Sequence, residues 1–392
     1  MRQRRVLAAL LAFFMLLPIT CYAAGVPLES GPPFSGSEAS LLLMEESTGQ
    51  IIFEKNADEQ RPVASVTKLM TILLLLEMLE DQRISLDGEV TVSKNAAGMG
   101  GSQALLDAGG QYKMEELLKS LIVASANDSA VALAEYALGS EGSFVAAMNA
   151  RAKELGLAAT SYQNATGLPA QGQYTSARDV AELSRKVLSH PLYFRFSTIW
   201  MDEIAHNSGR KTELVNTNRL VRFYEGADGV KTGSTQEAGY CISASAKRGD
   251  ARYIAVVLGA ATGKERFNTA SAMLDYAFDH YTFFAPVEAD SPLANAIPVR
   301  NANGFTADLY LKEPLRILAK RGEESAYYVE VEAPESLEAP LIPGQELGKA
   351  HLFKNGEEFE VVPLTVRAEI NPSGFMVELL NVLRGWPPLA AS

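Results

Sequence analysis

The run Val66-Thr-Lys-Leu-Met-Thr-Ile-Leu-Leu-Leu-Leu-Glu-Met-Leu-Glu80 constrains this chain more than any other segment. It contains no Gly or Pro, and its length and apolar content predict a helix over 66–80 that is buried. The rest of the chain has to supply its cover. Ahead of it, Leu41-Leu42-Leu43-Met44, a Ser-Thr-Gly turn and Ile51-Ile52-Phe53 predict a hairpin opening at Ala39. Further helices are expected over Met114–Ala124 and Ser129–Leu138. Strands return at Val230–Thr232, Tyr240–Ala246 and Tyr253–Leu258, followed by a helix from Arg266 to about His280. Helices set between a first hairpin and three late strands indicate an α/β (α+β) layer fold with a mainly antiparallel sheet, over 39–284.

After Phe284 the texture changes to short alternating runs, such as Ala307-Asp-Leu-Tyr-Leu311 and Tyr328-Val-Glu-Val331. Asn355-Gly356, flanked by Leu352-Phe353 and Phe359, is a strong hairpin signal. A small all-β domain is expected over 285–367. At 392 residues and 47% apolar content, two domains suit the chain better than one.

The ends carry addresses. Met1-Arg-Gln-Arg-Arg5 is a basic start, Val6 to Ile19 an apolar core, and Cys21-Tyr-Ala23 puts small residues where a signal peptidase reads them. The reading is an export signal over 1–23, followed by a Gly-, Pro- and Ser-rich linker over 24–38. Cleavage removes three arginines and no acid, taking the formal charge from −12 to −15. Cys241 is then alone, so no internal disulfide is available; its apolar surroundings suggest a buried strand position. At the other end, Asn371-Pro372 opens and Gly385 with two prolines closes a segment in which Phe375, Met376, Leu379, Leu380 and Leu383 share one helical face. Too short to span a bilayer, this tail (368–392) is expected to lie in a membrane surface, with packing onto the β-domain as the alternative.

The strongly acidic balance excludes a nucleic-acid partner, which needs a basic footprint. His190, His206, His280 and His351 sit singly, and no Cys/His cluster has metal spacing. No metal or cofactor is expected.

The chemistry rests on three short motifs. Ser65-Val-Thr-Lys68 is an S-x-x-K; Ser208-Gly-Arg-Lys211 matches it too, but reads as a turn. Ser65 opens the apolar helix, where free N–H groups favour developing negative charge. Lys68, one turn on, faces the same way, and burial would push it toward the neutral form that can accept a serine proton. The plain alternative is an N-cap serine with a snorkelling lysine. Ser125-Ala-Asn127 falls between two helical runs, placing a hydroxyl and an amide at their junction. Lys231-Thr232-Gly233 lies on an expected edge strand: cation and hydroxyl suit a carboxylate, and the glycine lets another backbone approach. The trio in this order marks penicillin-binding proteins and β-lactamases.

With Thr166-Gly-Leu-Pro169, Tyr174-Thr-Ser-Ala-Arg-Asp179 and Asp228-Gly-Val-Lys-Thr-Gly233, the chain resembles the low-molecular-mass penicillin-binding proteins that are serine D-alanyl-D-alanine carboxypeptidases. The resemblance implies a β-lactamase/transpeptidase-like catalytic domain and trimming of peptidoglycan stem peptides ending in D-Ala-D-Ala. It also implies covalent inhibition by β-lactams and a site on the outer face of the cytoplasmic membrane. Ser65 would be the nucleophile and Lys68 the base, with Ser125 relaying protons and Asn127 holding the substrate amide. Lys231 and Thr232 would grip the terminal carboxylate. The backbone N–H groups of Ser65 and Ser234 would form the oxyanion hole. Arg266 would lie near the carboxylate, or be an ordinary arginine at a helix start. A DD-endopeptidase, a β-lactamase and a non-catalytic penicillin-binding wall protein stand as alternatives.

Overall fold

The computed structural model describes residue 34 and residues 38–288 and 290–374. The export signal, nearly all of the linker and the apolar face of the tail lie outside the described residues.

Five antiparallel strands form the central sheet: β1 (Ser40–Glu45), β2 (Ile51–Lys55), β3 (Ala227–Thr235), β4 (Gly239–Arg248) and β5 (Ala251–Ala260), in the spatial order β2-β1-β5-β4-β3. All six residues of β1 are buried, because the sheet is covered on both faces. Leu42 and Met44 point into a core shared with the helices before β3, whereas Leu41 and Leu43 point into a second core under the helix after β5. A two-sided strand of this kind reads as a continuous apolar run. β3, which carries Lys231-Thr232-Gly233, is an edge strand.

The apolar helix, α1, spans Lys68–Glu80, and all of it except Glu77, Leu79 and Glu80 is buried. It starts later than its pattern suggests. Ala64 sits at φ 50°, and residues Ala64–Thr67 form a 3-10 turn that leads into the helix. Each buried Leu, Ile or Met contributes roughly 1.5–3 kcal/mol, which makes α1 the anchor of the larger core. α2 (Met114–Val123) and α3 (Asn127–Leu138) pack beside it, and α4 (Gly263–His280) covers the opposite face of the sheet. Cys241 is fully buried on β4. Of the histidines, His206 is buried and satisfied by Tyr112 and Thr212.

The C-terminal part is a six-stranded sheet with its own core, including Ile297, Leu309, Leu352 and Leu364. Asn355 and Gly356 turn its longest hairpin at φ 51° and 88°. Two positive φ values are what a two-residue turn needs to match the strand twist, and Asn-Gly accepts them most readily. One pairing, Val299 with Leu337, is parallel. Tyr281–Phe284 pairs with Ile317–Lys320, and Tyr281 and Leu318 belong to the core beneath α4. The two parts therefore interlock at the junction.

Candidate active site

Ser65 lies in the 3-10 turn, and its side chain caps no helix. Its Oγ instead accepts a hydrogen bond from Lys68 Nζ at 2.8 Å. Lys68 is fully buried and donates also to Asn127 Oδ1 at 2.5 Å and to the Thr166 carbonyl at 2.6 Å. A hydroxyl, an amide and a carbonyl thus surround the amine, with no carboxylate among them. Burial holds its pKa well below the usual lysine range, and the neighbouring Lys231 pushes the same way, against an opposing pull from Asp128.

Ser125 sits between α2 and α3 at φ 60°, a left-handed conformation rare for serine. That turn aims Oγ at Lys231 Nζ, which donates to it at 2.7 Å and to the Thr232 carbonyl at 3.0 Å. Lys231 is buried, and desolvation, followed by repulsion from Arg266, lowers its pKa to about 7. Asn127, at the start of α3, donates from Nδ2 to the Gly100 carbonyl at 2.6 Å, which orients its oxygen toward Lys68. Thr232 Oγ1 bonds Thr217 Oγ1 at 2.8 Å, and Ser234 is exposed at the outer end of the motif.

Two glycines let this cluster close. A Cβ on Gly233 would lie 2.6 Å from the Val63 carbonyl oxygen and 2.8 Å from Ser65 N. A Cβ on Gly167, which is at φ 79°, would lie 2.0 Å from the Ala64 carbonyl oxygen. The backbone that Gly233 admits is therefore the chain's own Ser65 turn. Arg266 lies in the first turn of α4 and donates from Nη1 to the carbonyls of Gly233 and Cys241, at 3.1 and 3.2 Å. Its guanidinium reaches the Lys231-Thr232-Gly233 segment through the strand's backbone.

All nine residues singled out in the sequence fall on this cluster or on the segments that build it. The rival S-x-x-K does not: Ser208 bonds Asp107, and Lys211 pairs with Glu203 across an exposed hairpin. Sequence reasoning missed Thr217, which carries no motif, and gave no role to the Thr166 carbonyl or to Gly167, for which the Thr166-Gly-Leu-Pro169 stretch was the available signal. It also gave no role to Asp128.

Residues 30–262 match the D-alanyl-D-alanine carboxypeptidase family, and residues 281–371 match the C-terminal domain of penicillin-binding protein 5. The chain belongs to the D-alanyl-D-alanine carboxypeptidase family. It is 40% identical over 388 residues to D-alanyl-D-alanine carboxypeptidase DacF of Bacillus subtilis, covering 98% of this chain and 99% of that one. It is 35% identical over 379 residues to carboxypeptidase DacC of Escherichia coli, covering 95% and 93%. Penicillin binding protein 5 from Haemophilus influenzae has a similar structure, with a TM-score of 0.75 at 28% identity over 87% of this chain and 99% of that one. The carboxypeptidase is thus a serine-type, penicillin-binding hydrolase of the cell wall that works through an acyl-enzyme. Its two-part architecture, a mixed α/β layer followed by an all-β sheet, is that of its relatives.

Proposed function

We propose that this carboxypeptidase removes the terminal D-Ala from peptidoglycan pentapeptide stems, with Ser65 as nucleophile and Lys68 as general base. The observation that carries the assignment is the buried Lys68 amine 2.8 Å from Ser65 Oγ, with no carboxylate partner to hold it charged. A neutral amine there takes the Ser65 proton as Oγ attacks the carbonyl carbon of the penultimate D-Ala. The peptide C–N bond then breaks, and the leaving amine takes a proton through Ser125, which Lys231 backs at 2.7 Å. Water hydrolyses the resulting ester and frees Ser65.

Asn127 holds the substrate amide, and the N–H groups of Ser65 and Ser234 receive the oxyanion. Lys231 and Thr232 receive the terminal carboxylate. With a pKa of about 7, Lys231 is partly neutral in the free enzyme, and an arriving carboxylate favours its charged form. Gly233 keeps the strand close to Ser65, and Arg266 supports the strand from behind through the Gly233 carbonyl.

The β-lactamase alternative calls for a dedicated carboxylate base. Glu203, which heads a Glu-x-x-x-Asn run ending at Asn207, is engaged with Lys211 on the exposed hairpin. One experiment separates the readings: D-Ala release from a pentapeptide, nitrocefin turnover and crosslink cleavage are measured side by side on wild type and Ser65→Ala. D-Ala release should dominate and vanish in Ser65→Ala, along with the penicillin adduct seen by mass spectrometry. The variant should stay folded, because no side-chain cap is lost. A surviving adduct would overturn the assignment of Ser65.

The enzyme is further proposed to act outside the cytoplasmic membrane, exported by residues 1–23 and held at the membrane surface by the apolar face of residues 371–392. The support is the sequence pattern of both segments. Arg384 is the tail's only basic residue, so attachment should be hydrophobic and little affected by salt. Liposome flotation with and without 371–392 tests it; equal flotation of the two forms, or binding that salt abolishes, would refute it.

A further inference from the structure

Asp128 is a buried carboxylate that the proposed mechanism leaves without a role, and its surroundings are unusual. It is 1% exposed, lies in the first turn of α3, and forms no ion pair among the described residues. Its oxygens accept from Ala104 N and Leu106 N, each at 3.0 Å, and from Ser129 N at 2.9 Å. The preceding residue, Asn127, grips the same segment by its carbonyls. Its N donates to the Ser102 oxygen at 2.7 Å and its Nδ2 to the Gly100 oxygen at 2.6 Å. Two adjacent residues thus hold alternate backbone groups of residues 100–106, Asn127 as donor through its backbone N and Nδ2 and Asp128 as acceptor through its carboxylate. Acceptor-only bonding to three N–H groups at a helix start suits an ionised carboxylate.

We propose that Asp128 is a positioning residue for the reaction, fixing segment 100–106 against the site and supplying a fixed negative charge that acts on the buried Lys68. This inference rests on the reading of Ser65 and Lys68 given above. Desolvation disfavours the charge on both buried amines, and Lys231 adds its repulsion at Lys68 as Arg266 does at Lys231. Asp128 is the group that pulls Lys68 back toward protonation. The same charge acts on Tyr112 from the strand Gln111–Lys113 and on His206 at the hairpin Met201–Val215, where Asp107 and Arg210 are the other charges. Without that carboxylate Lys68 would be neutral over a wider pH range, while the segment beside Asn127 would lose two of its anchors. The negative charge therefore sets where the base titrates, at the same point where it builds the rim.

The test is the pH profile of acylation by benzylpenicillin for wild type, Asp128→Asn and Asp128→Glu, with melting curves to verify folding. The acid limb reports the coupled lysines of the free enzyme. Asp128→Asn removes the charge and turns one acceptor into a donor that faces an N–H group. Its acid limb should move to lower pH, while the plateau rate falls through the loosened segment. Asp128→Glu keeps the charge and should leave the limb in place. Asp128→Ser, neutral and small, gives the same readout if the Asn variant is not recovered folded. A rate loss at all pH values with an unmoved limb, a limb that moves upward, or no change in either quantity would overturn the proposal. Failure of the underlying reading is seen separately, because acylation would then persist in Lys68→Arg.

Discussion

Lys231→Met should make this enzyme more stable near neutral pH while disabling it. Lys231 is 1% exposed, and its amine meets Ser125 Oγ and the Thr232 carbonyl rather than a carboxylate. Burial first, and Arg266 second, bring its pKa from 10.5 to about 7. Between those two values the unfolded chain holds a proton on Lys231 that the folded chain lacks. Wild-type stability therefore rises with pH across the window. The penalty is fully present below about 7 and gone above 10.5. At 1.36 kcal/mol per pH unit its ceiling is about 5 kcal/mol. Relaxation and local water entry reduce such values, so we expect about 2–4 kcal/mol.

Methionine fills similar space without titrating, and it relieves Lys68 of a neighbouring charge, which acts in the same direction. The stability advantage of Lys231→Met over wild type should accordingly shrink by about 2–4 kcal/mol from pH 7 to pH 10. D-Ala release should fall roughly 10- to 100-fold as a charge-assisted carboxylate contact is lost. Urea unfolding followed by Trp200 fluorescence measures the effect, with Trp386→Phe in both backgrounds. A stability difference that does not change with pH would refute the reasoning, because Lys231 would then keep its ordinary proton affinity in the fold.

Two further predictions concern neighbouring groups. Lys68→Arg keeps a positive charge but cannot yield a neutral base, so penicillin acylation in stopped flow should drop by about 10²- to 10⁴-fold; retention of most of the rate would remove Lys68 as the base. In Gly233→Ala the new Cβ meets Val63 O at 2.6 Å and Ser65 N at 2.8 Å. The turn and the strand must separate, with a stability loss of about 1–3 kcal/mol and slower acylation; an unchanged melting temperature and labelling rate would show that the turn yields freely.

What the sequence disclosed, and what it hid, follows from which groups did the work. The strands and α1 were legible because burial on two faces leaves apolar runs too long to belong anywhere but a core. The S-x-x-K, S-x-N and K-T-G groups were legible because side chains make their contacts. Two limits came from the backbone. Ser65 was expected on an α-helical turn, yet the positive φ of Ala64 diverts residues 64–67 into a 3-10 turn, and alanine gives no warning of that. The i to i+3 spacing survives, so Lys68 still reaches Ser65. The Thr166 carbonyl, the third partner of Lys68, is a group every residue owns, so the Thr166-Gly-Leu-Pro169 stretch marks the segment without marking that atom.

Arg266 illustrates the same divide. It is at once the helix-start arginine and a contact of the Lys231-Thr232-Gly233 strand, since the first turn of α4 lands on the backbone of β3 and β4. Its side chain touches two carbonyls, so a motif search has nothing to pair it with. The cluster's tight spacing has one further consequence. Gly167 and Gly233 press the turn that carries Ser65 between two backbones, while Lys68 and Lys231 are held away from water on either side of Ser125 and Asn127. The same close packing that aims Ser65 also desolvates both lysines. Loosening it at either glycine should therefore weaken two things together, the position of the nucleophile and the neutrality of its base.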